Sequence, residues 1–341
     1  MKLDIQHVTA LIAEAEPRFT GVVTLHRGVE PLFAQGYGYA NRAERLPNTP
    51  DTRFGMASGS KVFTAVAICK LVEQGRLSFD ARLLDLVAAD FPQFDPGITV
   101  HHLLTHTSGA PDYFDEEFMD DFAALWETRP VYTLHGPRDL LPLFQHQPMK
   151  FAPGERFSYN NGGYILLGLI IEAVTGASFC DTIIEHVLRP AEMADSGFFP
   201  MHALPERTAY GYIEEEDGSW RTNIFAVPYI AQPDGGTFTT APDMARFWDA
   251  LREHRLLSPE ITSQMLTLHV TEDDSDGYSY GIWMQHREGK MITYCVMGED
   301  PGVSLLSRIY PAQDVLLTII GNTESAVWPV AHALHEYLTQ V

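Results

Sequence analysis

The sequence predicts an α+β fold: an antiparallel β-sheet flanked by helices, with a helical region inserted between its two halves. Strand-like stretches stand towards both ends of the chain, while the middle switches to helical spacing broken by prolines. At 341 residues, 45% apolar and 20% charged, the chain is long enough to bury a large core without metal or disulfide support. The expected organisation is one domain over residues 1–341. Its sheet part covers 1–79 and 206–341, and a mainly helical insertion covers 80–205.

Each element has its own reason. Residues 3–16 read as an amphipathic helix. Gly21–His26 and Pro31–Tyr39 alternate or run apolar around Arg27-Gly28, which predicts a hairpin. Over Lys61–Gln74, the side chains Val62, Phe63, Val66, Ala67 and Leu71 recur at helical spacing, and Gly75 stands where a C-terminal cap belongs. Within 80–205, helical patches at 100–105, 139–146, 161–175 and 178–187 alternate with loops punctuated by Pro130, Pro137, Pro142, Pro148 and Pro153. Strands return at Tyr278–His286, Lys290–Met297, Val303–Tyr310 and Val315–Gly321. Their turns are Glu288-Gly289 and Pro311-Ala312-Gln313, and a helix over 325–339 closes the chain.

Charge excludes some functions. Lys and Arg number 23 against 45 Asp and Glu, a net −22, and a polyanion repels phosphate backbones and anionic lipid. No nucleic-acid or membrane partner is expected. Tyr164–Ile171, the longest strongly apolar run, is too short to span a bilayer. Cys69, Cys180 and Cys295 form no CxxC pair, and Asp4, Glu14 and Glu16 interrupt any leader-like stretch, so a cytoplasmic protein is expected.

Two constellations carry chemistry. In Ser58-Gly59-Ser60-Lys61 the helix just described places Lys61 at i+3 from Ser58, on the same face. A serine alcohol is a poor nucleophile until a base takes its proton, and a lysine with a lowered pKa can be that base. Unpaired N–H groups at a helix start also suit an oxyanion. In Tyr159-Asn160-Asn161, residues i and i+2 of an extended segment point the same way, so Tyr159 can pass a proton to a leaving group while Asn161 meets substrate or Lys61. Taken singly, the first reads more readily as a serine N-cap with a solvated lysine. The second, alone, is as weak and reads as a loop between Pro153-Gly154 and Gly162-Gly163.

Together they resemble the serine β-lactamase and penicillin-binding-protein-like superfamily, and within it the class C-like hydrolases that include esterases and D-amino-acid peptidases. The resemblance covers nearly the whole chain. Its motifs fall in order: MASGSKVFTAVAICKLVEQGRLSFDARL, ITVHHLLTHTSGAPDY, FAPGERFSYNNGGYILLGLIIEAVTG and GGTFTTAPDMARF. The resemblance implies a β-lactamase/transpeptidase-like fold, Ser58 as acylated nucleophile, Lys61 as its base, Tyr159 as general acid/base and Asn161 as a contact to substrate and Lys61. Its third motif, a Lys or His followed by any residue and Gly, falls on Val296-Met297-Gly298. Gly298 is kept, Val296 replaces the basic residue, and Glu299 supplies the oxyanion-hole N–H beside that of Ser58.

That departure has consequences. Valine neither tunes the tyrosine nor meets a substrate carboxylate. Glu299 and Asp300 follow it, and Asp112, Asp115, Glu116 and Glu117 follow the HTSG segment. Carboxylates near a low-dielectric cleft disfavour anionic ligands. The expected activity is therefore a serine hydrolase working through an acyl-enzyme on neutral or cationic esters or amides, with weak action on β-lactams. No metal or organic cofactor is implied, the partner is a small or peptide-like substrate, and oligomeric state is left open. The alternatives are a D,D-peptidase or β-lactamase acting on cell-wall or β-lactam substrates, and a decayed site serving binding or assembly.

Other residues read as structural. His101, His102 and His106 lack the Glu of HExxH and a third ligand for zinc. Ser108 reads as a turn hydroxyl, Gly235-Gly236 as a close backbone approach, and Glu214–Gly218 as a solvated hairpin tip. Tyr280, Trp283 and Trp328 read as packing or pocket-lining residues, with packing the default.

Overall fold

Every residue of Val315–Gly321 is buried, which happens to a strand only when layers cover both faces of its sheet. The computed structural model describes residues 3–127, 129–273, 275–287 and 290–340. Eight of its strands form one antiparallel sheet: β1 Gly21–Arg27, β2 Glu30–Tyr37, β3 Val270–Thr271, β4 Asp276–Tyr278, β5 Trp283–Arg287, β6 Lys290–Asp300, β7 Val303–Tyr310 and β8 Val315–Gly321. Their spatial order is β2-β1-β8-β7-β6-β5-β4-β3, so the N-terminal hairpin joins the edge of the C-terminal meander. The joint is antiparallel pairing of β1 with β8, from Gly21 opposite Gly321 to His26 opposite Leu316.

Alternation along these strands sorts side chains into two layers. Leu306, Tyr310, Leu317 and Ile319 face α1 (Ile5–Ala15) and α5 (Val327–Gln340). Leu305, Ile309, Leu316 and Ile320 face α2 (Lys61–Glu73) and α4 (Ala241–Arg252). On that side the Trp248 indole N–H donates to Ser307 Oγ at 3.0 Å, and Ser307 shares a 2.9 Å hydrogen bond with Thr318, so the polar atoms under α4 are satisfied. The same core continues into the middle of the chain through α3 (Asn161–Thr175), whose residues 161–171 are all buried. Asn160 caps α3 by accepting from the Gly163 N–H at 2.5 Å, and Gly176, at φ +74°, closes it.

The long predicted elements are present, with four corrections. Tyr278–His286 is two strands, β4 and β5, because Gly281 turns the chain at φ +75° and the Ser279 N–H donates to the Ile282 carbonyl at 2.9 Å. A Cβ on Gly281 would fall 2.8 Å from Ala65 Cβ, so α2 presses on this turn. Residues 139–146 hold only short 3₁₀ turns, Pro137–Asp139 and Leu141–Leu143, since Pro137 and Pro142 remove amide donors. Residues 178–187 begin as an α-helical turn, Phe179–Ile183, and continue as a π turn, Ile184–Leu188. Strand β6 runs to Asp300, three residues past its predicted end at Met297. The predicted turn at Glu288-Gly289 lies outside the described residues. Cys69, Cys180 and Cys295 are free thiols. Among the described residues, no single helix is long and apolar enough to cross a membrane.

Candidate active site

The chain enters α2 through a 3₁₀ turn, Ala57–Ser60, and that turn is gripped from two sides. On one side lies the Gly235-Gly236 segment. Gly236 N–H donates to the Ala57 carbonyl at 3.1 Å, Met56 N–H to Thr237 O at 2.9 Å, and Thr237 N–H to Ser60 Oγ at 3.0 Å. These bonds hold Ala57 at φ +46°, a left-handed conformation that costs a residue with a side chain. On the other side is β6. Strand β5 begins at Trp283, opposite Cys295, so Val296–Asp300 have no strand neighbour on that edge and the turn occupies it. A Cβ on Gly298 would sit 2.5 Å from Met56 O and 2.6 Å from the amide nitrogens of Ser58 and Gly59. Only glycine permits that approach. The Ser58 amide is thereby brought against the Gly298–Glu299 backbone, the arrangement an oxyanion pocket requires.

Lys61 is the first residue of α2 and is buried, 1% exposed. Its Nζ lies 2.9 Å from Ser58 Oγ, 2.8 Å from Asn161 Oδ1 and 2.8 Å from the Asp234 carbonyl. The last two atoms can only accept, so they take two N–H bonds of the amine. The remaining direction faces the Ser58 hydroxyl, with which the amine can exchange a proton. The rings of Tyr159 and Tyr164 stand 4.9 and 5.7 Å from the same nitrogen.

Tyr159 and Asn161 meet at Lys61 because the segment between them changes state: Asn160 is extended and Asn161 starts α3. Asn161 Nδ2 donates to Phe114 O at 3.2 Å and Glu116 Oε1 at 3.1 Å, which leaves Oδ1 for Lys61. The pKa of the Tyr159 hydroxyl is pushed well above the ordinary phenol value by burial and then by the Glu116 charge, against the opposing influence of the neighbouring Ser58 hydroxyl. Tyr159 thus holds its proton at neutral pH and is equipped to donate it. Trp283 stacks on its ring at 6.0 Å, and His106 lies over it at 4.4 Å. His106 is buried and accepts the Asn160 N–H on Nδ1 at 3.0 Å; burial and then Lys61 push its pKa well down. His101 bonds the Tyr280 hydroxyl at 2.9 Å. Among the described residues, no group of three or more His, Cys, Asp or Glu is arranged to hold a metal.

Val296 is buried in the helix-side core, on the same face of β6 as Gly298 and Asp300. The Glu299 carboxylate is turned away from Ser58 and takes hydrogen bonds from Ser325 Oγ and Trp328 Nε1. The acidic run after HTSG divides by role. Asp115 pairs with Lys150 at 2.6 Å and Glu117 with Arg156 at 2.7 Å. Asp112 accepts the Asn161 and Gly162 N–H groups at 2.6 and 2.8 Å. Burial pushes Asp112 up to about 7 against those hydrogen bonds. Burial, then the charge of Asp234, pushes Asp300 up to about 8. Burial also raises Asp234, against Lys61 and a hydrogen bond from Tyr113. Asp234 and the Trp283 stack escaped the sequence reading; the one available signal was the turn-rich Pro233-Asp234-Gly235-Gly236 run. Ser108 does act as a turn hydroxyl, accepting the Ala110 N–H at 3.3 Å.

Similarity to known proteins agrees with this geometry. A family model described as beta-lactamase matches residues 8–338. The crystal structure of a penicillin-binding protein from Bacillus halodurans superposes with a TM-score of 0.92 at 47% identity, covering 97% of this chain and 100% of that one. A penicillin-binding protein of Bacillus subtilis (strain 168) is 29% identical over 323 residues, 90% of this chain and 69% of that protein. The teichoic acid D-alanine hydrolase of Staphylococcus aureus is 26% identical over 272 residues, 78% of this chain and 62% of that protein.

Proposed function

The chain belongs to the beta-lactamase family, and from that premise we propose that it hydrolyses esters or amides through an acyl-enzyme on Ser58. Lys61 takes the Ser58 proton as Oγ attacks the substrate carbonyl carbon. The N–H groups of Ser58 and Glu299 hold the resulting oxyanion. Tyr159 delivers its proton to the departing oxygen or nitrogen as the carbonyl–leaving-group bond breaks, and water then cleaves the acyl–Ser58 ester. Asn161 holds Lys61 in line. The observation that supports this most is the 2.9 Å separation of Lys61 Nζ and Ser58 Oγ, with the other two directions of the amine occupied by pure acceptors. Three free cysteines support placing the protein in a reducing compartment such as the cytoplasm.

Val296 favours an ester or amide substrate over a β-lactam. The cleft offers no cation at that position for a substrate carboxylate, and Asp300 follows on the same face. A fluorophosphonate probe tests the nucleophile: labelling is expected in the wild type and lost in Ser58→Ala. Lys61→Met keeps the side-chain length without the amine, and is expected to slow p-nitrophenyl acetate turnover by roughly 10²–10⁴-fold. Near-normal turnover in that variant removes Lys61 from the mechanism. Nitrocefin is expected to be a poor substrate beside p-nitrophenyl acetate, and efficient nitrocefin hydrolysis would overturn the preference.

A further inference from the structure

Residues 156–160, which carry Tyr159 to the site, belong to neither helix nor strand, so something else must hold them. The turn over residues 106–110 does. Gly109 O accepts the Lys150 N–H at 2.8 Å, Thr107 O the Gly154 N–H at 2.8 Å, and Ala110 O the Asn160 side-chain amide at 2.7 Å. The two bonds nearest Tyr159 both end on His106. Its carbonyl accepts the Ser158 N–H at 2.9 Å, and its Nδ1 accepts the Asn160 N–H at 3.0 Å. The residues before and after Tyr159 are thus tied to one histidine, whose ring lies 4.4 Å from the Tyr159 ring. Two features of His106 are costs that packing alone does not require. Its φ is +57°, a left-handed conformation that histidine and asparagine adopt more readily than most residues. With Nδ1 accepting, the neutral ring carries its proton on Nε2, and Nε2 is buried without a partner among the described residues. The rings of Phe157, Tyr164 and Tyr278 stand around it at 5.9, 5.1 and 4.7 Å. A phenyl ring would fill that aromatic cage without stranding a donor. The imidazole is explained by what its other nitrogen holds.

Resting on Tyr159 as proton donor, we propose that His106 is a positioning residue for that transfer: its carbonyl and Nδ1 fix the peptides on either side of Tyr159, so that the hydroxyl meets the leaving group. The hydroxyl stands at the far end of its side chain, so a small rotation of the 159–160 peptide becomes a large displacement of the oxygen. The ring must stay neutral for this, because a protonated imidazole donates from both nitrogens and releases the Asn160 N–H. Burial, then the Lys61 charge, keeps it neutral.

The test compares two esters of one acid. p-Nitrophenyl butyrate loses its phenolate unaided, whereas ethyl butyrate must have its alkoxide protonated, and kcat/KM reads the acylation step for each. His106→Phe keeps a ring against Tyr159 but removes the acceptor. It is expected to lower kcat/KM on ethyl butyrate by at least about tenfold, part of the roughly 10²–10⁴-fold that a placed proton donor contributes, and on p-nitrophenyl butyrate by less than about threefold. His106→Asn tolerates the positive φ and can set its amide oxygen where Nδ1 stands, so it is expected to recover ethyl butyrate turnover to within about fivefold of the wild type. In a Tyr159→Phe background, His106→Phe is expected to cost ethyl butyrate nothing more. Should His106→Phe fail to fold, His106→Gln, whose amide lies one carbon further out, takes its place against His106→Asn. Equal losses on the two esters, an Asn variant no better than Phe or Gln, or additive losses in the Tyr159→Phe background overturn the proposal and leave the hydrolase reading standing. A wild type that neither labels with the fluorophosphonate probe nor cleaves either ester overturns both.

Discussion

Replacing Tyr159 by Phe removes one oxygen from a ring that Trp283 and His106 hold in place, so the pocket keeps its shape while its proton donor goes. A p-nitrophenolate leaves without help, whereas an amide nitrogen must be protonated to leave. Tyr159→Phe is therefore expected to slow amide turnover by roughly 10²-fold or more and activated-ester turnover much less. Paired kinetics on an anilide and a p-nitrophenyl ester check this, and an equal loss on both would assign Tyr159 a positioning role. Ser58, Lys61, Tyr159 and Asn161 were legible because helix and strand periodicity fix which neighbours share a face. Asp234 was not: its carbonyl reaches Lys61 from a segment 173 positions away, and no local pattern encodes that meeting. Glu299 was expected to lend its backbone N–H to the oxyanion and its carboxylate to the cleft. Its backbone borders the serine, but its carboxylate points to Trp328, an orientation that depends on which face of β6 the residue occupies.

At the scale of elements, the turn that carries Ser58 is positioned by backbone contacts on both sides, so small residues matter more than large ones. Gly298→Ala places a methyl group 2.5–2.6 Å from three backbone atoms of Met56, Ser58 and Gly59 and must push β6 away from the turn. We expect kcat to fall by at least about tenfold, with stability lower by about 1–3 kcal/mol, measured by single-turnover acylation and denaturant unfolding. Gly235→Ala is the milder control, since its Cβ meets Ala57 at 3.3 Å. The long strands and α1, α2, α3 and α5 were readable from period alone. The break between β4 and β5 was not, because the alternating residues of Tyr278–His286 look continuous and only the pressure of α2 on Gly281 reveals the turn. Helix α4, with Pro242 near its start, carries its apolar stripe among charged residues, and the reading passed over it.

For the whole molecule, the buried titratable groups set opposing pH limbs. Asp112 and Asp300 have folded pKa values raised to about 7 and about 8, so the stability they contribute is complete below the ordinary carboxylate range and is lost as pH rises through those values. His26, which burial lowers to about 4, contributes stability above 6.5 that is lost as pH falls towards 4. Melting temperature is expected to decline between pH 6.5 and 8.5, and Asp300→Asn to flatten that decline; calorimetry across pH 5–9 checks both, and an unchanged slope in the variant contradicts the assignment. The link between Glu299 and Trp328 ties this larger scale back to the reacting bond. It joins the strand that borders the nucleophile to the last helix, on the opposite layer of the molecule. On the proposed mechanism the C-terminal tail is thus a lever on the oxyanion pocket: a fusion, truncation or binding partner that displaces α5 is expected to register as altered turnover without ever touching the cleft.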